Sequence, residues 1–578
     1  MRHITHQVDL CVVGGGLAGM CAAIAAARHG ARVALMHDRP VLGGNASSEI
    51  RMWVCGAHGP NNRETGLIEE IELDNLRRNP QKLYPLWDAL LYEKVRLEPN
   101  ITLLLNCSCL DATMRGDRLA TVRGWQGTAE TWHTVEAALF ADCSGDSILA
   151  PLSGAEFRMG REARGEFDES IEPELADRRT MGMSLLLQAR QTDRPQPYSP
   201  PPWANVYASD EDLPYRDHAL PGANFWWIEL GGEADSIHDT EALRDELLKA
   251  VYGVWDHVKN RGDHGADNWV LDWVGFLPGK RESRRYVGDY VVSQRDVEAG
   301  GPFDDVVAYA GWTMDDHHPA GLHYPGEPTI FHPAPSPWGI PYRSLYSRNV
   351  ANLFCAGRNI STTHAALSSS RVMKTCALLG QAVGTAAAIA ARHGLAPRGV
   401  YEGRLGELQQ TLMDDDCWLP GRRRAVAALT REAALSASSG DPEPLRSGVD
   451  RPAGASDNGW AGEPGASWVA YRFAGPREVR QVRLIFDSDL ARDRADHRMR
   501  CAYTLDDQPA GVTPAMTRAF TIEVLDEAGR WHTVIDERDN HQRLVRRPLG
   551  RRAVAVRYTP RATWGAPLAR LFAWDVIG

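Results

Sequence analysis

The feature that most constrains this chain is a glycine-rich turn between an apolar strand and an Ala-rich helix. The segment VDLCVV runs directly into a GxGxxG motif, and the helix follows at once. In this setting the first glycine permits a tight turn, the second lets the backbone approach a pyrophosphate, and the third lets the helix pack on the strand. Helix N–H groups then face the anion. Because the strand ARVALMH follows at the right distance, the pattern predicts a dinucleotide site at Gly14, Gly16, Leu17, Ala18 and Gly19.

The end of the second predicted strand departs from the usual dinucleotide pattern. The acid expected there for the ribose hydroxyls falls on His37, and Asp38 follows one position later. Arg39 then adds a cation, and a glycine pair comes next. From here the sequence resembles the FAD-dependent oxidoreductases of the glutathione-reductase-like Rossmann flavoproteins. The dinucleotide pattern predicts contacts at His37 and Asp38, and the resemblance implies FAD contacts at Arg39, Gly43, Gly44, Asn45, Ser47 and Ser48.

Two later segments extend the resemblance, which covers roughly residues 8–395. ADCSGD is similar to the middle motif of those flavoproteins, and NLFCAGRNIS is similar to their distal FAD motif. A helix then starts beside Arg371, and its positive end would stabilise negative charge at the N1/C2=O edge of reduced flavin. No second GxGxxG follows a strand and no CxxC is present, which disfavours a disulfide reductase. The implied contacts are Ser144, Gly145, Asp146, Gly357, Arg358, Arg371, Val372 and Met373.

The predicted fold class is α/β, with a Rossmann-type FAD-binding domain, an inserted substrate-covering domain and a following all-β sandwich. At 578 residues the chain exceeds one typical domain. A stretch rich in Ser, Gly, Pro and Asp has the composition of a linker. The expected parts are an oxidoreductase domain at 1–430 (FAD-binding parts at about 7–150 and 340–400, substrate part at about 151–339), a linker at 431–460 and the sandwich at 461–578.

The last part of the chain alternates apolar and polar residues in short runs such as SWVAYRF, VRQVRLIF and FTIEVLD. This period of two is typical of a β-sandwich. The segment resembles discoidin-like, galactose-binding-type sandwiches, which implies that it binds carbohydrate or packs on a catalytic domain. Trp460, Trp531 or Trp564 would stack on a sugar if exposed, and the alternative is that they lie in the core.

Charge and composition argue against several classes of function. A net charge of −11 without a Lys/Arg run disfavours a nucleic-acid partner. No signal peptide is visible, and ALLGQAVGTAAAIAA is shorter than a comfortable membrane span, so we expect a buried helix and no membrane span. Ten cysteines without a CxxC pair indicate neither a zinc site nor a disulfide framework. We expect a cytoplasmic protein without a metal.

Histidine is the default candidate for proton transfer beside a flavin. His317 and His318 follow two carboxylates, Asp315 and Asp316, in a Pro-bounded loop, and an Asp-oriented His base is physically reasonable there. The alternative is a solvated turn or a structural hydrogen-bond hub. His58, flanked by glycines, and His364, which could face the isoalloxazine, are the other candidates. Arg281 and Arg284 are candidate substrate ligands, with buried ion pairing as their alternative.

These patterns predict an FAD-dependent dehydrogenase or oxidase that acts on a small molecule bearing a hydroxyl group, such as a sugar or glycoside. One alternative is reduction or oxidation of a C–C bond next to a carboxylate, with the Arg281–Arg285 run as the acid clamp. Another is a non-enzymatic carbohydrate-binding protein with structural FAD. No motif chooses among oxygen, quinone and a protein carrier as the electron acceptor.

Overall fold

The computed structural model describes residues 1–492 and 498–578. The chain divides into two compact units, each assembled from several segments. The first comprises Met1–His58, Gln81–Leu408 and Arg498–Pro509, and the second comprises Gly59–Pro80, Gln409–His497 and Ala510–Gly578.

The helices differ widely in length, and the longest is α9. In chain order they are α1 (Leu17–Arg28), α2 (Leu67–Arg78), α3 (Tyr84–Arg96), α4 (Leu149–Ser153), α5 (Arg164–Phe167), α6 (Thr240–Asp256), α7 (Gln294–Glu298), α8 (His364–Ser370), α9 (Met373–His393), α10 (Pro397–Asp414) and α11 (Ala428–Glu432). A π-helical turn, His257–Arg261, continues directly from α6.

The strands belong to one mainly parallel sheet, several small sheets and one antiparallel sheet. In chain order they are β1 (Arg2–Val13), β2 (Val33–Met36), β3 (Ile101–Leu104), β4 (Cys107–Arg115), β5 (Arg118–Gln126), β6 (Thr131–Asp142), β7 (Phe157–Arg158), β8 (Met183–Ser184), β9 (Leu187–Gln191), β10 (Glu229–Leu230), β11 (Trp269–Val274), β12 (Gly279–Lys280), β13 (Arg285–Tyr286), β14 (Val306–Ala310), β15 (Met314–His317), β16 (Thr329–His332), β17 (Trp338–Pro341), β18 (Leu353–Cys355), β19 (Ala434–Ala437), β20 (Trp460–Gly462), β21 (Val469–Phe486), β22 (Ala502–Tyr503), β23 (Thr517–Leu525), β24 (Trp531–Glu537), β25 (Leu544–Thr563) and β26 (Ala569–Ile577).

The main sheet of the first unit has the order β3-β2-β1-β6, with these strands parallel. The first half of β6 pairs with β5 in antiparallel fashion, and its last three residues pair with β18 in parallel. Val13 therefore lies level with Met36, Asp142 and Cys355 at one edge of the sheet. Because carboxyl ends of parallel strands form the usual ligand-binding edge, the loops that leave these four strands converge on one place.

Helix α9 lies against α1 at very short range. A Cβ added to Gly380 would come within 2.0 Å of the Ala18 carbonyl oxygen, and one added to Gly384 within 2.1 Å of that of Ala22. Among the helices of the described residues, α9 has the length and apolar composition of a membrane span, and 94% of its apolar window is buried in the protein. This burial is typical of a core helix, and it fixes the starts of both helices at the same sheet edge.

The part of the first unit predicted to cover the substrate has its own apolar core. Residues of β8 to β11 pack there against the inner face of α6, with Trp227 and Trp255 among the largest buried side chains. The predicted Pro-bounded loop around His317 is instead a hairpin, in which β15 pairs with β16. His317 is the last residue of β15, and His318 follows the strand with its N–H donating to the Pro328 carbonyl oxygen at 3.1 Å.

The second unit contains a seven-stranded antiparallel sheet with the order β20-β26-β21-β25-β23-β24 and with β19 paired to β21. β21 and β25 are long and carry shifts in register, and the sheet packs on a large apolar core. The fold class predicted from the sequence is confirmed: a mixed α/β part followed by a β-rich part. Trp460 is buried in that core, so it is not an exposed sugar platform. Trp531 and Trp564 are partly exposed.

The unit boundaries differ from the predicted domain limits. The units separate after Leu408 rather than near residue 430, and the second unit also takes in 59–80, whose helix α2 contributes Leu73 and Leu76 to the sandwich core. The predicted linker at 431–460 contains β19, which pairs with β21. Ser, Gly and Pro mark turns between ordered strands as readily as they mark linkers, which explains the difference.

Candidate cofactor and active site

A cavity of about 1230 Å³ opens at the carboxyl edge of the main sheet. Its walls come from the loops after β1, β2, β6 and β18 and from the starts of α1 and α9. The remaining wall comes from the covering part and carries Trp226, Trp273, Phe276 and Phe331, together with Asn224. The cavity therefore joins a nucleotide-binding edge to an aromatic chamber with a few polar groups.

The glycine motif shapes the cavity floor. Gly14 has a φ of 106°, and a Cβ there would come within 2.4 Å of the Cys143 carbonyl oxygen. Gly19 does not line the cavity: its Cβ would strike the Gly14 carbonyl oxygen, so Gly19 serves the packing of helix on strand. At Gly16 the nearest atom to an added Cβ is Gly44 Cα at 3.8 Å, so the missing side chain leaves room on the cavity side. Leu17 and Ala18 line the same floor.

His37 holds the glycine turn rather than a ribose. The Gly15 N–H donates to its Nδ1 at 3.0 Å, and its Nε2 lies 3.1 Å from the Val41 carbonyl oxygen. Burial lowers the pKa of His37 to about 4, so the ring is neutral and can accept at Nδ1 while donating from Nε2. Asp38 lines the cavity with an exposed side chain, where it can reach sugar hydroxyls.

The segment after β2 bends back over the glycine turn. The Gly43 N–H donates to the Gly15 carbonyl oxygen at 2.9 Å, and Gly43, Gly44, Asn45 and Arg39 line the cavity. The predicted contacts at Ser47 and Ser48 lie outside the lining. Ser47 is fully buried with its hydroxyl donating to the Gly44 carbonyl oxygen, and the Ser48 N–H donates to Asp88. Both residues therefore stabilise this segment from the side that faces away from the cavity.

The middle and distal motifs meet at Asp146. Its carboxylate accepts from Arg358 Nη2 at 2.8 Å and from Lys280 Nζ at 2.7 Å. Burial would raise the pKa of Asp146, but Arg358 and Lys280 outweigh it and lower the pKa. Ser144, Gly145 and Gly357 complete this wall. No sequence motif marks Lys280, and only the fold brings it next to Asp146.

The start of α9 faces the same cavity from the opposite side. Val372 is the N-cap, and Arg371, Val372 and Met373 line the wall. The Arg371 Nη2 donates to both the carbonyl and the carboxylate oxygen Oδ2 of Asp315, each at 3.0 Å. Although burial would raise the pKa of Asp315, His317 and Arg371 hold it well below its usual range. A helix start and a cation therefore make this end of the cavity favourable for negative charge.

His317 lies in the lining beside this helix start. Its Nδ1 is 2.6 Å from Glu229 Oε2, its Nε2 is 3.4 Å from Asp315 Oδ1, and its ring meets Trp226 edge to face at 5.1 Å. Burial would raise the pKa of Glu229, but Arg281 and His317 lower it, so Glu229 is ionised. Glu229, which sequence reasoning missed because nothing in WWIEL marks it, orients the ring.

The other candidate histidines lie outside the cavity lining. His318 stacks on Tyr324 with ring centroids 3.6 Å apart, and His58 stacks on Trp312 at 4.4 Å. Trp312 itself lines the cavity, so His58 supports the wall from behind.

His364 is buried in an ionic cluster instead of facing the isoalloxazine region. Its Nδ1 lies 2.8 Å from Glu282 and its Nε2 lies 3.2 Å from Asp316. Burial alone would lower the pKa of His364, but these two carboxylates raise it well above its ordinary value. With its pKa raised in this way, His364 is already protonated, and it lies outside the cavity lining. It is therefore poorly suited to accept a proton from a substrate, and Asp316 and His364 form a structural pair.

The candidate arginines differ in their positions. Arg281 lines the cavity but is already bound, to Ser184 Oγ at 2.8 Å, the Trp226 carbonyl oxygen at 3.0 Å and Glu229 at 3.3 Å. Arg284 lies outside the lining, with its guanidinium over the Phe157 ring. Buried pairing with groups of the protein, rather than contact with a substrate, therefore describes most of the arginines at 281–285.

The cavity has the donors and the space that a dinucleotide requires. Gly16 leaves an open cradle at the start of α1. Within the described residues, Arg39 Nη1 and Arg358 Nε are buried without a hydrogen-bond partner, and each belongs to a residue that lines the cavity. Arginine donors of this kind are suited to phosphate and ribose oxygens. The residues present therefore fit FAD.

Comparison with known proteins agrees with this geometry over most of the chain. A family model described as FAD dependent oxidoreductase matches residues 9–412. No curated protein matches the chain.

Among solved structures, the chain is similar to a chitosan-binding module 1 from a Paenibacillus sp. IK-5 chitosanase/glucanase, at 18% identity over 26% of this chain and 98% of that one, with a TM-score of 0.19. It is also similar to the family 32 carbohydrate-binding module of Streptococcus pneumoniae EndoD, at 15% identity over 26% and 97%, with a TM-score of 0.20. A third is the family 32 module of C. perfringens NanJ in complex with galactose, at 11% identity over 26% and 97%, with a TM-score of 0.19.

Proposed function

The chain belongs to the FAD-dependent oxidoreductase family, and from this premise we propose that it dehydrogenates a small molecule bearing a hydroxyl group, such as a sugar or a glycoside. The observation that carries the proposal is the oriented His317, which lines the cavity beside the start of α9. When bound, FAD supplies the acceptor for the hydride that leaves the substrate carbon.

The residues that would hold FAD are those of the sheet edge. The glycine turn and the N–H groups at the start of α1 suit the pyrophosphate, Asp38 suits the ribose, and Arg358 adds a charge-assisted donor. The start of α9, with Arg371, suits the end of the flavin that becomes negative on reduction.

The proton of the substrate hydroxyl is assigned to His317. Because Glu229 accepts a hydrogen bond from Nδ1, the ring presents Nε2 as its proton acceptor. The hydroxyl proton passes to Nε2 as the C–H electron pair leaves as hydride, and a carbonyl group remains on the substrate. Glu229 and Asp315, both ionised, stabilise the imidazolium that results.

The lining favours a hydroxylated substrate over a carboxylate. Trp226, Trp273 and Phe331 offer flat apolar faces, and Asn224 offers an amide among them. Such a mixture suits a sugar, which has apolar C–H faces and polar edges. Of the two arginines predicted as substrate ligands, Arg281 lines the cavity, and its guanidinium is already bound by Glu229 and two other acceptors. Oxidation or reduction of a C–C bond beside a carboxylate remains the second candidate.

Anaerobic titration of the FAD-loaded protein tests the proposal. Sugars, glycosides and polyols form one panel, and enoates with their saturated acids form the other. We expect loss of oxidised-flavin absorbance with at least one hydroxyl compound, and much slower loss in His317→Ala than in a matched His318→Ala control. Reduction by saturated acids alone would favour the second candidate. An FAD-loaded protein that no compound in either panel reduces would contradict the proposed substrate class.

A further inference from the structure

Three imidazoles and one carboxylate meet in the covering part of the first unit, away from the cavity lining. They belong to Asp210, His218, His257 and His264, and one ligand atom from each lies within 4.8 Å of all the others. We propose that these four side chains bind one Zn²⁺ ion, which ties the segment around residues 207–218 to the end of α6.

The distances approach those of a tetrahedral zinc site. His257 Nε2 lies 2.9 Å from Asp210 Oδ1 and 3.0 Å from His264 Nε2, and His264 Nε2 lies 3.3 Å from Asp210 Oδ1. His218 Nδ1 lies 3.9 Å from the same oxygen. Zn–N and Zn–O bonds of about 2.0–2.1 Å in a tetrahedron separate neighbouring ligand atoms by about 3.3–3.4 Å. Asp210, His257 and His264 are within a few tenths of an ångström of this spacing, and His218 would have to move closer to complete the site.

The ring orientations are those of ligands rather than of a stacked core. The three ring centroids are 4.8 to 5.0 Å apart, and the rings are inclined to one another by 56° to 80°. Ring nitrogens of His257 and His264 face each other directly. Two imidazole lone pairs at this distance repel unless a proton or a cation lies between them.

The surroundings of His257 fix the nitrogen that is offered. Its Nδ1 lies 3.1 Å from the Tyr207 carbonyl oxygen, so Nδ1–H donates outward and the Nε2 lone pair points into the cluster. Histidines that bind metals are usually held in this way by a backbone carbonyl. His257 also begins the π-helical turn after α6, and such turns often occur at functional sites.

The set of ligands indicates which metal binds and that its role is structural. Three imidazoles with one carboxylate suit zinc better than magnesium or calcium, which prefer oxygen. Four protein ligands are typical of a structural site, with no position left for a substrate. His218 and His257 are buried whereas the Asp210 side chain is 72% exposed, which gives the ion a route in from solvent.

The proposed zinc site is connected to the cavity wall through a neighbouring residue. His218 contacts the Trp227 ring at 5.6 Å, and the preceding residue, Trp226, lines the cavity next to His317. The ion would therefore stabilise the segment that presents Trp226, although metal binding itself does not depend on the proposed reaction.

The test uses full-length, FAD-loaded protein that is treated with a chelator, dialysed and then titrated with ZnCl₂. We expect one zinc per chain by elemental analysis, a higher Tm after zinc addition, and an X-ray absorption spectrum with nitrogen and oxygen ligands only. His264→Ala should weaken binding by more than about 100-fold, beyond the effect typical of an outer-shell change. His238→Ala, at an exposed histidine that pairs with Asp235, should bind zinc as the unaltered chain does.

Asp210→Asn keeps the test decisive if a histidine variant fails to fold, because this side chain is exposed. It should fold normally and bind zinc more weakly. Failure of the unaltered chain to retain zinc or to gain stability from it would overturn the proposal. So would sulfur ligands in the absorption spectrum, or zinc affinity in both His264→Ala and Asp210→Asn that is unchanged from the unaltered chain, because either result places the ion elsewhere.

Discussion

Nδ1 of His317 lies 2.6 Å from Oε2 of Glu229, with both side chains almost completely buried. A buried pair of this kind fixes the ring orientation and determines which ring nitrogen carries the proton. The proposed chemistry depends on this pair more than on the two aspartates next to His317 in the sequence.

Replacing His317 with Ala should slow flavin reduction by ~10²- to 10⁴-fold, the usual contribution of a general base. FAD content should stay normal, because His317 is in the covering part and away from the glycine turn. Stopped-flow absorbance under anaerobic conditions measures the rate. His318→Ala is the matched control, since His318 stacks on Tyr324 outside the lining. Equal rates in the unaltered chain and in His317→Ala would refute the assignment.

Glu229→Gln should have a smaller effect. The amide oxygen can still accept from Nδ1, but a neutral partner is weaker than a carboxylate by about 1–1.5 kcal/mol, which corresponds to roughly a tenfold lower rate. Stopped-flow absorbance, as for His317→Ala, measures the rate. An unchanged rate in Glu229→Gln would show that this carboxylate does not assist His317.

Gly16→Val should deplete the purified protein of FAD. A branched side chain would occupy the cradle that Gly16 leaves open at the start of α1. Overpacking typically costs about 1–3 kcal/mol, so FAD binding should weaken by roughly 5- to 150-fold. Gly403→Ala is the control, because an added Cβ there meets no atom within 4 Å. Undiminished FAD affinity in Gly16→Val would show that the cofactor does not approach this turn.

Glu172 should make the stability of the protein depend on pH. Burial raises its pKa from the ordinary 4.5 to about 7; His364 opposes the rise, Glu169 and Glu162 add to it, and Arg285 opposes it. A raised carboxyl pKa means that the folded state holds the proton more tightly. The contribution of Glu172 to the free energy of unfolding is therefore fully present below the pKa that Glu172 has in the unfolded chain. It is lost as pH rises through about 7.

Glu172→Gln removes this titration. The variant should gain up to about 3 kcal/mol in free energy of unfolding, relative to the unaltered chain, as pH rises from about 4.5 to about 8. Denaturant unfolding at both pH values measures the difference. A constant difference at the two pH values would mean that Glu172 does not titrate in this range.

Much of the FAD site could be predicted because its signals are local. A turn that must lack side chains leaves glycines at fixed spacing, and Gly14, Gly16 and Gly357 all lie where their motifs place them. The predicted contacts at Ser47 and Ser48 lie outside the cavity lining. A motif identifies a segment of the chain, but it does not show which side chains of that segment face inward.

The chamber could not be predicted in the same way. Glu229 meets His317, and Lys280 meets Asp146, only because distant strands of the covering part fold together. Asp210 and His257 are likewise joined by tertiary structure, and no short spacing marks them as a pair. The expectation that the protein holds no metal was based on the spacing of residues in the sequence, and such spacing cannot reveal a cluster that tertiary structure brings together.

The pairing of β18 with the end of β6 has a consequence for biosynthesis. Residues 1–142 leave the ribosome with Phe140, Ala141 and Asp142 lacking the neighbour that closes this side of the sheet, and Leu353–Cys355 follow only after more than two hundred further residues. Helix α9, which buries α1, is made later still. The nascent chain thus exposes an apolar sheet edge while more than two hundred residues are added, and an unprotected Ala-rich helix for longer still. A growing chain halted before α9 should therefore engage chaperones and be unable to hold FAD, although its whole GxGxxG motif is already made.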